Sequence, residues 1–117
     1  MAKDYVPKAG DVIRLSFDPQ AGHEQAGRRP ALVISPAAFN EKTRLIICCP
    51  ITNTIRDDPF AVWLPNQAKT TGAILVEQLK SLDWHVRNAE YLEPIPGETL
   101  QHVRALIARI LTFPVEK

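Results

Sequence analysis

The sequence predicts a mainly β fold with a smaller α contribution, a small half-open barrel or curled sheet that carries one late helix. Three observations support this fold class. Short apolar runs recur along the chain, ten prolines and other turn residues separate them, and a long segment near the end has helical periodicity. The length of 117 residues suits one domain that buries about two-thirds of its unfolded surface. We therefore expect a single domain over residues 1–117.

The strands are expected where apolar and β-branched residues alternate between turn signals. They cover residues 11–17, 29–35, 44–51, 60–64, 72–79 and 88–93. A short helical turn is expected after Pro36, in the segment AAFNEK. The last helix is expected over residues 98–111, between Gly97 and Pro114, because its apolar residues recur on one side. These residues are Leu100, Val103, Ile107, Ile110 and Leu111.

The predicted strand 44–51 is apolar on both faces, since the two alternating sets of its side chains are both apolar. In strand 60–64, Trp63 points away from the face that carries Val62. A chain of this size is expected to have one core, and one helix cannot cover every outer face. We therefore expect a partner subunit, most simply in a two-fold homodimer.

Composition limits the class of protein. The net charge of +1 does not indicate a nucleic-acid binder by bulk charge, so any basic surface must be local. The first residues lack the apolar segment of a signal peptide, and the longest apolar run, LIICCPI, is too short to span a bilayer. A cytoplasmic location is expected. Adjacent Cys48 and Cys49 predict two buried free thiols, and no spacing typical of a zinc site occurs.

The segment FDPQAGHEQAGRRPALVIS, residues 17–35, raises a chemical question. Ten residues without a large aliphatic side chain lead into Arg28 and Arg29, which enter an apolar strand at once. A guanidinium presents a planar fork that fits two phosphate oxygens, and Pro30 restricts the backbone of Arg29 to an extended form. A fixed charge beside a flexible loop is suited to hold a phosphate. The alternative is an ion pair with Glu24 or Asp18.

Two ordered blocks of the sequence resemble the MazF/PemK family of bacterial toxins. The blocks are GDVI…F-P…G-EQAG-RPA-V-S and EQLKS, and the resemblance runs from about Tyr5 to the last helix. It implies an SH3-like small β-barrel with short helices and a C-terminal helix, of the type shared with CcdB, working as a homodimer. It also implies a toxin of a type II toxin–antitoxin system, a sequence-specific endoribonuclease for single-stranded messenger RNA that stops translation and growth.

The resemblance implies chemistry without a metal or any other cofactor. The 2′-hydroxyl attacks phosphorus and leaves a 2′,3′-cyclic phosphate and a 5′-hydroxyl end. The implied partner is an antitoxin whose acidic, disordered tail covers the RNA groove. Any contact of the toxin–antitoxin complex with operator DNA is expected through the antitoxin.

By this resemblance the catalytic pair is Arg29 with Thr52. The residue types alone leave Thr52 an alternative role, stabilising the turn before Asn53. We expect Arg29 to stabilise charge rather than move a proton, because a guanidinium stays charged at neutral pH and is a poor base.

The resemblance places substrate-binding residues in the loop and in the later strand. They are Phe17, Glu24, Gln25, Arg28, Gln78 and Lys80. Periodicity favours the core for Phe17, which alternates with Ile13 and Leu15. Arg28 stands where family members carry histidine, which leaves its role open, and Lys80 has an alternative place at the dimer interface.

Two other functions stay open. The same barrel serves CcdB-like toxins that poison gyrase without cutting RNA, and an inactive relative would act as a binding module. The histidines His23, His85 and His102 are scattered, so the sequence offers no histidine pair for RNA cleavage. The arginine block favours the ribonuclease.

Overall fold

Seven strands and two helices make up the computed structural model, which describes residues 5–17, 27–54 and 57–112. The strands are β1 (Asp11–Ser16), β2 (Arg28–Val33), β3 (Leu45–Thr52), β4 (Ala61–Trp63), β5 (Ala73–Leu75), β6 (Lys80–Asp83) and β7 (Glu90–Pro94). The helices are α1 (Ala37–Thr43) and α2 (Gly97–Leu111), and a 3₁₀ turn covers Val76–Gln78. The mainly β fold class with a C-terminal helix is thus confirmed.

The strands form an antiparallel sheet in the order β4-β5-β3-β2-β1-β7, with β6 also paired to β3. Strand β3 has two partners on one side because its first half, from Leu45 to Cys48, pairs with β6, and its end, Ile51–Thr52, pairs with β5. Among the described residues, β4 and β7 are not paired to each other, so the sheet stays open.

The predicted strand 72–79 is wrong in its second half. The chain leaves β5 at Leu75, makes the 3₁₀ turn and starts β6 at Lys80, a strand that periodicity did not indicate. The register on β3 shifts by three residues between the pair Ile51–Ile74 and the pair Cys48–Lys80, and the three-residue turn Val76–Gln78 takes up this offset. Buried Val76 of the turn packs in the first cluster, so the break in the strand adds to the core.

The two faces of the sheet carry separate hydrophobic clusters, so the expectation of one core is wrong. The first cluster includes Leu32, Cys49 and Ile51 and is covered by α2. The second cluster includes Val33, Ile46 and Cys48, and is covered by Trp84 and by Tyr5 and Val6 at the start of the described chain. Apart from Leu45 at its start, β3 is therefore buried or half-buried on both faces within one chain, as its two apolar sets allow.

The adjacent cysteines lie in different clusters because neighbouring strand residues point to opposite faces. Both thiols are buried and free, as expected. Burial raises the pKa of Cys48 and of Cys49 to about 12.

Helix α2 packs its apolar side on the first cluster. Val103 is fully buried, and Leu100, Leu106, Ile107 and Ile110 pack around it. Leu111 lies on the same side, since it lines a cavity together with Ile107 and Ile110, but as the last residue of the helix it is 69% exposed. Leu106, which was not predicted, also packs against the first cluster. Pro114, the predicted stop, lies outside the described residues. Over the described ranges, neither helix combines the length and the apolar content that crossing a membrane requires.

Candidate functional site

Of the predicted site residues that the structure describes, Phe17, Arg28, Arg29 and Thr52 lie at one end of the sheet. Strands β1, β2 and β3 are antiparallel neighbours. One end of the sheet therefore carries the end of β1, the start of β2 and the end of β3. The segment 18–26, between β1 and β2, lies outside the described residues. It contains His23, Glu24 and Gln25.

Strand pairing relates Arg29 to Thr52. The pairing of β2 with β3 ends at Ala31 and Pro50, and Arg29 and Thr52 each lie two residues beyond that last pair, at the same end of the two strands. By alternation both residues belong to the face of the second cluster, since Arg29 is in step with Ala31 and Val33, and Thr52 with Cys48. Arg29 is exposed, while Thr52 is 4% exposed.

Thr52 has a structural bond as well. Its Oγ1 accepts a hydrogen bond from the backbone N–H of Thr54 at 3.1 Å, as the turn-stabilising interpretation predicts. A hydroxyl has one donor hydrogen and two acceptor lone pairs. The bond to Thr54 therefore leaves the hydroxyl hydrogen of Thr52 able to donate to another oxygen.

Gly72 fixes the backbone beside Thr52. It has a φ of +122°, and a Cβ placed there would lie 2.5 Å from the carbonyl oxygen of Thr52. Only glycine lets β5 approach β3 this closely without strain. Sequence reasoning missed this contribution, although a glycine at the start of a strand is a signal of close backbone approach.

Phe17 and Lys80 meet on the same face. Phe17 is 3% exposed and packs in the second cluster, as the core interpretation predicts. The Nζ of Lys80 lies 5.4 Å from the centroid of its ring, a cation–π distance. Lys80 pairs with Cys48 on β3, and Gln78 ends the 3₁₀ turn just before it, half-buried.

The guanidinium of Arg28 donates hydrogen bonds to backbone carbonyl oxygens. Its Nη2 donates to the carbonyl oxygens of Asn88 at 2.9 Å and Arg14 at 3.3 Å, and its Nη1 donates to that of Arg87 at 3.5 Å. It also lies 3.5 Å from the carboxylate of Glu90. These contacts fasten the start of β2 to the turn before β7.

Arg87, in the turn before β7, binds the end of β1. The sequence did not indicate this role. Its Nη1 donates to the carbonyl oxygen of Ser16 at 3.0 Å, and the N–H of Ser16 donates to the carbonyl oxygen of Arg87 at 3.1 Å. Asn88, with a φ of +54°, shapes this turn. An asparagine before a strand was the available signal, because asparagine tolerates the left-handed region. The turn thus holds Ser16 at the end of β1 and Arg28 at the start of β2.

The site is positively charged and offers side chains that can bind phosphate. Arg28, Arg29, Lys80 and Arg87 lie at or near this end of the sheet, and Glu90 pairs with the first of them. Within residues 5–17, 27–54 and 57–112 no group of three or more His, Cys, Asp or Glu side chains could hold a metal ion. The groups at hand can neutralise an oxyanion and donate hydrogen bonds to it.

Comparison with known proteins gives a consistent result. Residues 8–111 match a family model described as the PemK-like, MazF-like toxin of type II toxin–antitoxin systems. The endoribonuclease toxin MazF of Escherichia coli is 42% identical over 107 residues, which cover 92% of this chain and 96% of that protein.

Solved structures agree with the sequence match. The crystal structure of MazF from Deinococcus radiodurans has a TM-score of 0.87 and 48% identity, covering 92% of this chain and 98% of that one. A MazE–MazF crystal structure from the same organism has a TM-score of 0.84 and 40% identity, covering 95% and 100%.

Proposed function

The chain belongs to the family of PemK-like, MazF-like toxins of type II toxin–antitoxin systems, and from this premise we propose that it is an endoribonuclease. Its substrate is single-stranded RNA, mainly messenger RNA, which it cuts at a short sequence motif. Loss of messenger RNA blocks translation and stops growth, which makes the protein the toxin of its pair. The resemblance noted in the sequence is confirmed at the level of the family.

The observation that supports the proposed mechanism is that Arg29 and Thr52 lie on one face at the same end of the paired strands β2 and β3. The 2′-hydroxyl of the RNA loses its proton and attacks the adjacent phosphorus. The bond to the 5′ oxygen breaks as that oxygen gains a proton, which leaves a 2′,3′-cyclic phosphate and a 5′-hydroxyl end. Negative charge grows on the phosphoryl oxygens in between, and the site must stabilise it.

Arg29 neutralises this charge with two parallel N–H donors, and the hydroxyl of Thr52 donates to a neighbouring oxygen. Antiparallel strands hold both residues, so their spacing does not depend on a loop. We assign charge stabilisation rather than proton transfer to Arg29, because a guanidinium stays protonated at neutral pH. Glu24, Gln25, Gln78 and Lys80 remain candidates for contacts to the bases.

We propose two protein partners. The first is a cognate antitoxin, supported by the likeness to MazF in complex with MazE. Its acidic tail would compete with RNA for the cations at the edge of the sheet. The second is another copy of the chain in a homodimer, supported by exposed apolar side chains such as Leu45 and Tyr91. We also propose that residues 1–117 are one toxin domain acting in the cytoplasm, supported by the family match over 8–111.

Incubation of the purified protein with a long RNA in the presence of EDTA tests the function. Discrete fragments with 5′-hydroxyl ends are the expected result, and primer extension across them gives the cut motif. Intact RNA with inhibited gyrase would instead indicate a CcdB-like toxin. Intact RNA and active gyrase would indicate a binding module. Sedimentation over a dilution series tests the homodimer, which a monomer at micromolar concentration would contradict.

A further inference from the structure

The backbone of Thr52 is paired on one side. The pairing of β2 with β3 ends at Pro50, so within the described strands Thr52 pairs with Ala73 of β5 and not with β2. The chain enters β5 from the loop of residues 64–72, which connects β4 to β5. Whatever fixes the end of this loop therefore also fixes the strand partner of Thr52.

The end of this loop contacts Thr52 and the residue after it. The hydroxyl of Thr71 donates a hydrogen bond to Oδ1 of Asn53 at 3.0 Å. Gly72 then passes so close to Thr52 that a Cβ at residue 72 would lie 2.5 Å from the carbonyl oxygen of Thr52. Together with the pairing of Ala73, three successive residues of the chain contact either Thr52 or Asn53.

The other side of the same loop is held by Glu93, on β7 at the opposite edge of the sheet. One carboxylate oxygen of Glu93 accepts a hydrogen bond from the backbone N–H of Lys69 at 3.0 Å, and the other oxygen accepts one from that of Thr70 at 2.6 Å. Since β4 and β7 are not paired in the described part of the chain, this contact links the two edges of the open sheet.

Hydrogen bonds matter for this part of the loop because packing contributes little to its position. A cavity of about 440 Å³ is lined by Arg14, Pro30 and Leu92 of the sheet and by residues 69–71 of the loop. Side chains do not fill the space between these two parts, so few dispersion contacts hold residues 69–71 there. Their position depends on the bonds to Glu93 on one side and to Asn53 on the other.

The charge of Glu93 suits it to bind backbone amides. Partial burial opposes ionisation, but the N–H donors of Lys69 and Thr70 hold the pKa of Glu93 below its usual range. A carboxylate accepts hydrogen bonds without donating any, and bonds to an ionised acceptor are stronger than neutral ones. The change Glu93→Gln would turn an NH₂ group towards a backbone N–H, so one of the two bonds would be lost.

We propose that Glu93 is a positioning residue for Thr52 in RNA cleavage. Its carboxylate fixes residues 69–71, and these fix Asn53 and the strand partner of Thr52. The backbone of Thr52 then sets the direction in which its hydroxyl donates to the phosphoryl group. This inference rests on the proposed function, because it assigns Glu93 a part in the same reaction. Glu93 acts through Thr52 and not on the RNA, so its effect falls on kcat rather than on KM.

Steady-state cleavage of an RNA that carries the cut motif tests the proposal. Glu93→Gln is expected to lower kcat about tenfold and to change KM by less than about twofold, because a small displacement of a catalytic group costs rate rather than binding. Thr71→Val removes the bond to Asn53 at the other side of the loop and should lower kcat by a similar factor. Glu41→Gln, at an exposed carboxylate on α1, is the matched control and leaves both constants unchanged.

A double-mutant cycle with Thr52→Val separates positioning from a general weakening of the fold. Thr52→Val removes the hydroxyl that Glu93 is proposed to orient, so Glu93→Gln should lower kcat no further in that background. A change that only weakened the fold would lower kcat by the same factor in both backgrounds.

Nuclear magnetic resonance of the protein without RNA gives a readout that does not depend on activity. The N–H of Thr54 donates to Oγ1 of Thr52 at 3.1 Å, so the amide resonance of Thr54 reports where that oxygen lies. Glu93→Gln should shift this resonance and speed amide hydrogen exchange at Lys69 and Thr70. Glu41→Gln should leave all three amides as in the wild-type protein.

Several results would overturn the assignment. They are a normal kcat of Glu93→Gln, a rise in KM with kcat unchanged, an equal loss of kcat in both Thr52 backgrounds, or an unshifted Thr54 amide. A normal kcat of Thr52→Val would overturn it as well, since Glu93 would then have no catalytic hydroxyl to orient. If the wild-type protein cuts no RNA, the proposed function fails and this role fails with it. If the wild-type protein cuts RNA and one of the other results is found, only the positioning role is rejected.

Discussion

Lys80 on β6 places its ammonium over the ring of Phe17, 5.4 Å from the centroid. The two residues are 63 positions apart in sequence, and both were predicted to bind substrate. Their contact joins the end of β1 to the start of β6 across the second cluster. The nearly fully buried ring of Phe17 thus makes a cation–π contact with Lys80 near the proposed RNA site.

This contact predicts an energetic coupling. Lys80→Met keeps the aliphatic length and removes the charge, and it should lower the free energy of unfolding by about 0.5–2 kcal/mol. In a Phe17→Leu background the same change should have a smaller effect. Urea unfolding of the four proteins measures the difference as a double-mutant cycle. An equal cost in both backgrounds would show that the two groups do not interact.

Replacing Arg29 should remove activity without unfolding the protein. Arg29→Ala should lower kcat/KM at least about 100-fold, since it deletes the donors that stabilise the transition state. Arg29→Lys should recover only part of this loss, because an ammonium lacks the planar fork. Arg104→Ala on α2 is the control, and circular dichroism checks the fold. Normal turnover of Arg29→Ala would reject the site.

Activity should depend on the hydroxyl of Thr52 more than on the volume of the side chain. Thr52→Val keeps the volume, removes the donor and leaves the N–H of Thr54 without its acceptor. We expect a loss of roughly 10- to 100-fold in kcat and about 1 kcal/mol of stability. Thr52→Ser should restore most of both. If Thr52→Val lost stability but cut RNA at the normal rate, Thr52 would have only the turn-stabilising role.

A methyl group at residue 72 should disturb the site through the backbone. Gly72→Ala places Cβ against the carbonyl oxygen of Thr52 at a φ that disfavours alanine. It should destabilise the fold by about 1–3 kcal/mol and lower kcat, because β5 must move away from β3. Gly97→Ala is the matched control, since a Cβ there meets nothing within 4 Å. Thermal unfolding and single-turnover cleavage provide the two measurements.

The buried thiols should make stability fall in alkaline solution. Burial raises the pKa of Cys48 from 9.0 to about 12, so the folded state keeps the neutral thiol where the unfolded chain ionises. This stabilisation is fully present below about pH 9 and is lost as pH rises from there to about 12, at up to about 1.4 kcal/mol per pH unit.

Comparison with a Cys48→Ala variant isolates this effect from the titration of lysine and tyrosine. The difference in unfolding free energy between wild type and variant should shrink with rising pH over this interval. A difference that stays constant would mean that the thiol is not shielded from ionisation.

Local patterns predicted most of the strands and the last helix. Alternation in 11–17 and 44–51 indicated β1 and β3, because each side chain of a strand has a fixed face. The apolar residues at helical spacing, among them Val103 and Ile110, indicated α2, because residues three or four apart share one side of a helix. The start of β6 at Lys80 could not be predicted, since it depends on the change of partner along β3.

For the site, the sequence by itself determined the chemistry that is available: an arginine before a proline at the start of a strand, a threonine at the end of another, and the family blocks around them. Only the tertiary structure decided which groups meet. It gave Arg28 its acceptors in the turn at Asn88 and buried Phe17 beneath Lys80. The physical reason is that residue type and alternation are local properties, whereas cross-strand register and backbone acceptors arise only when distant segments pair.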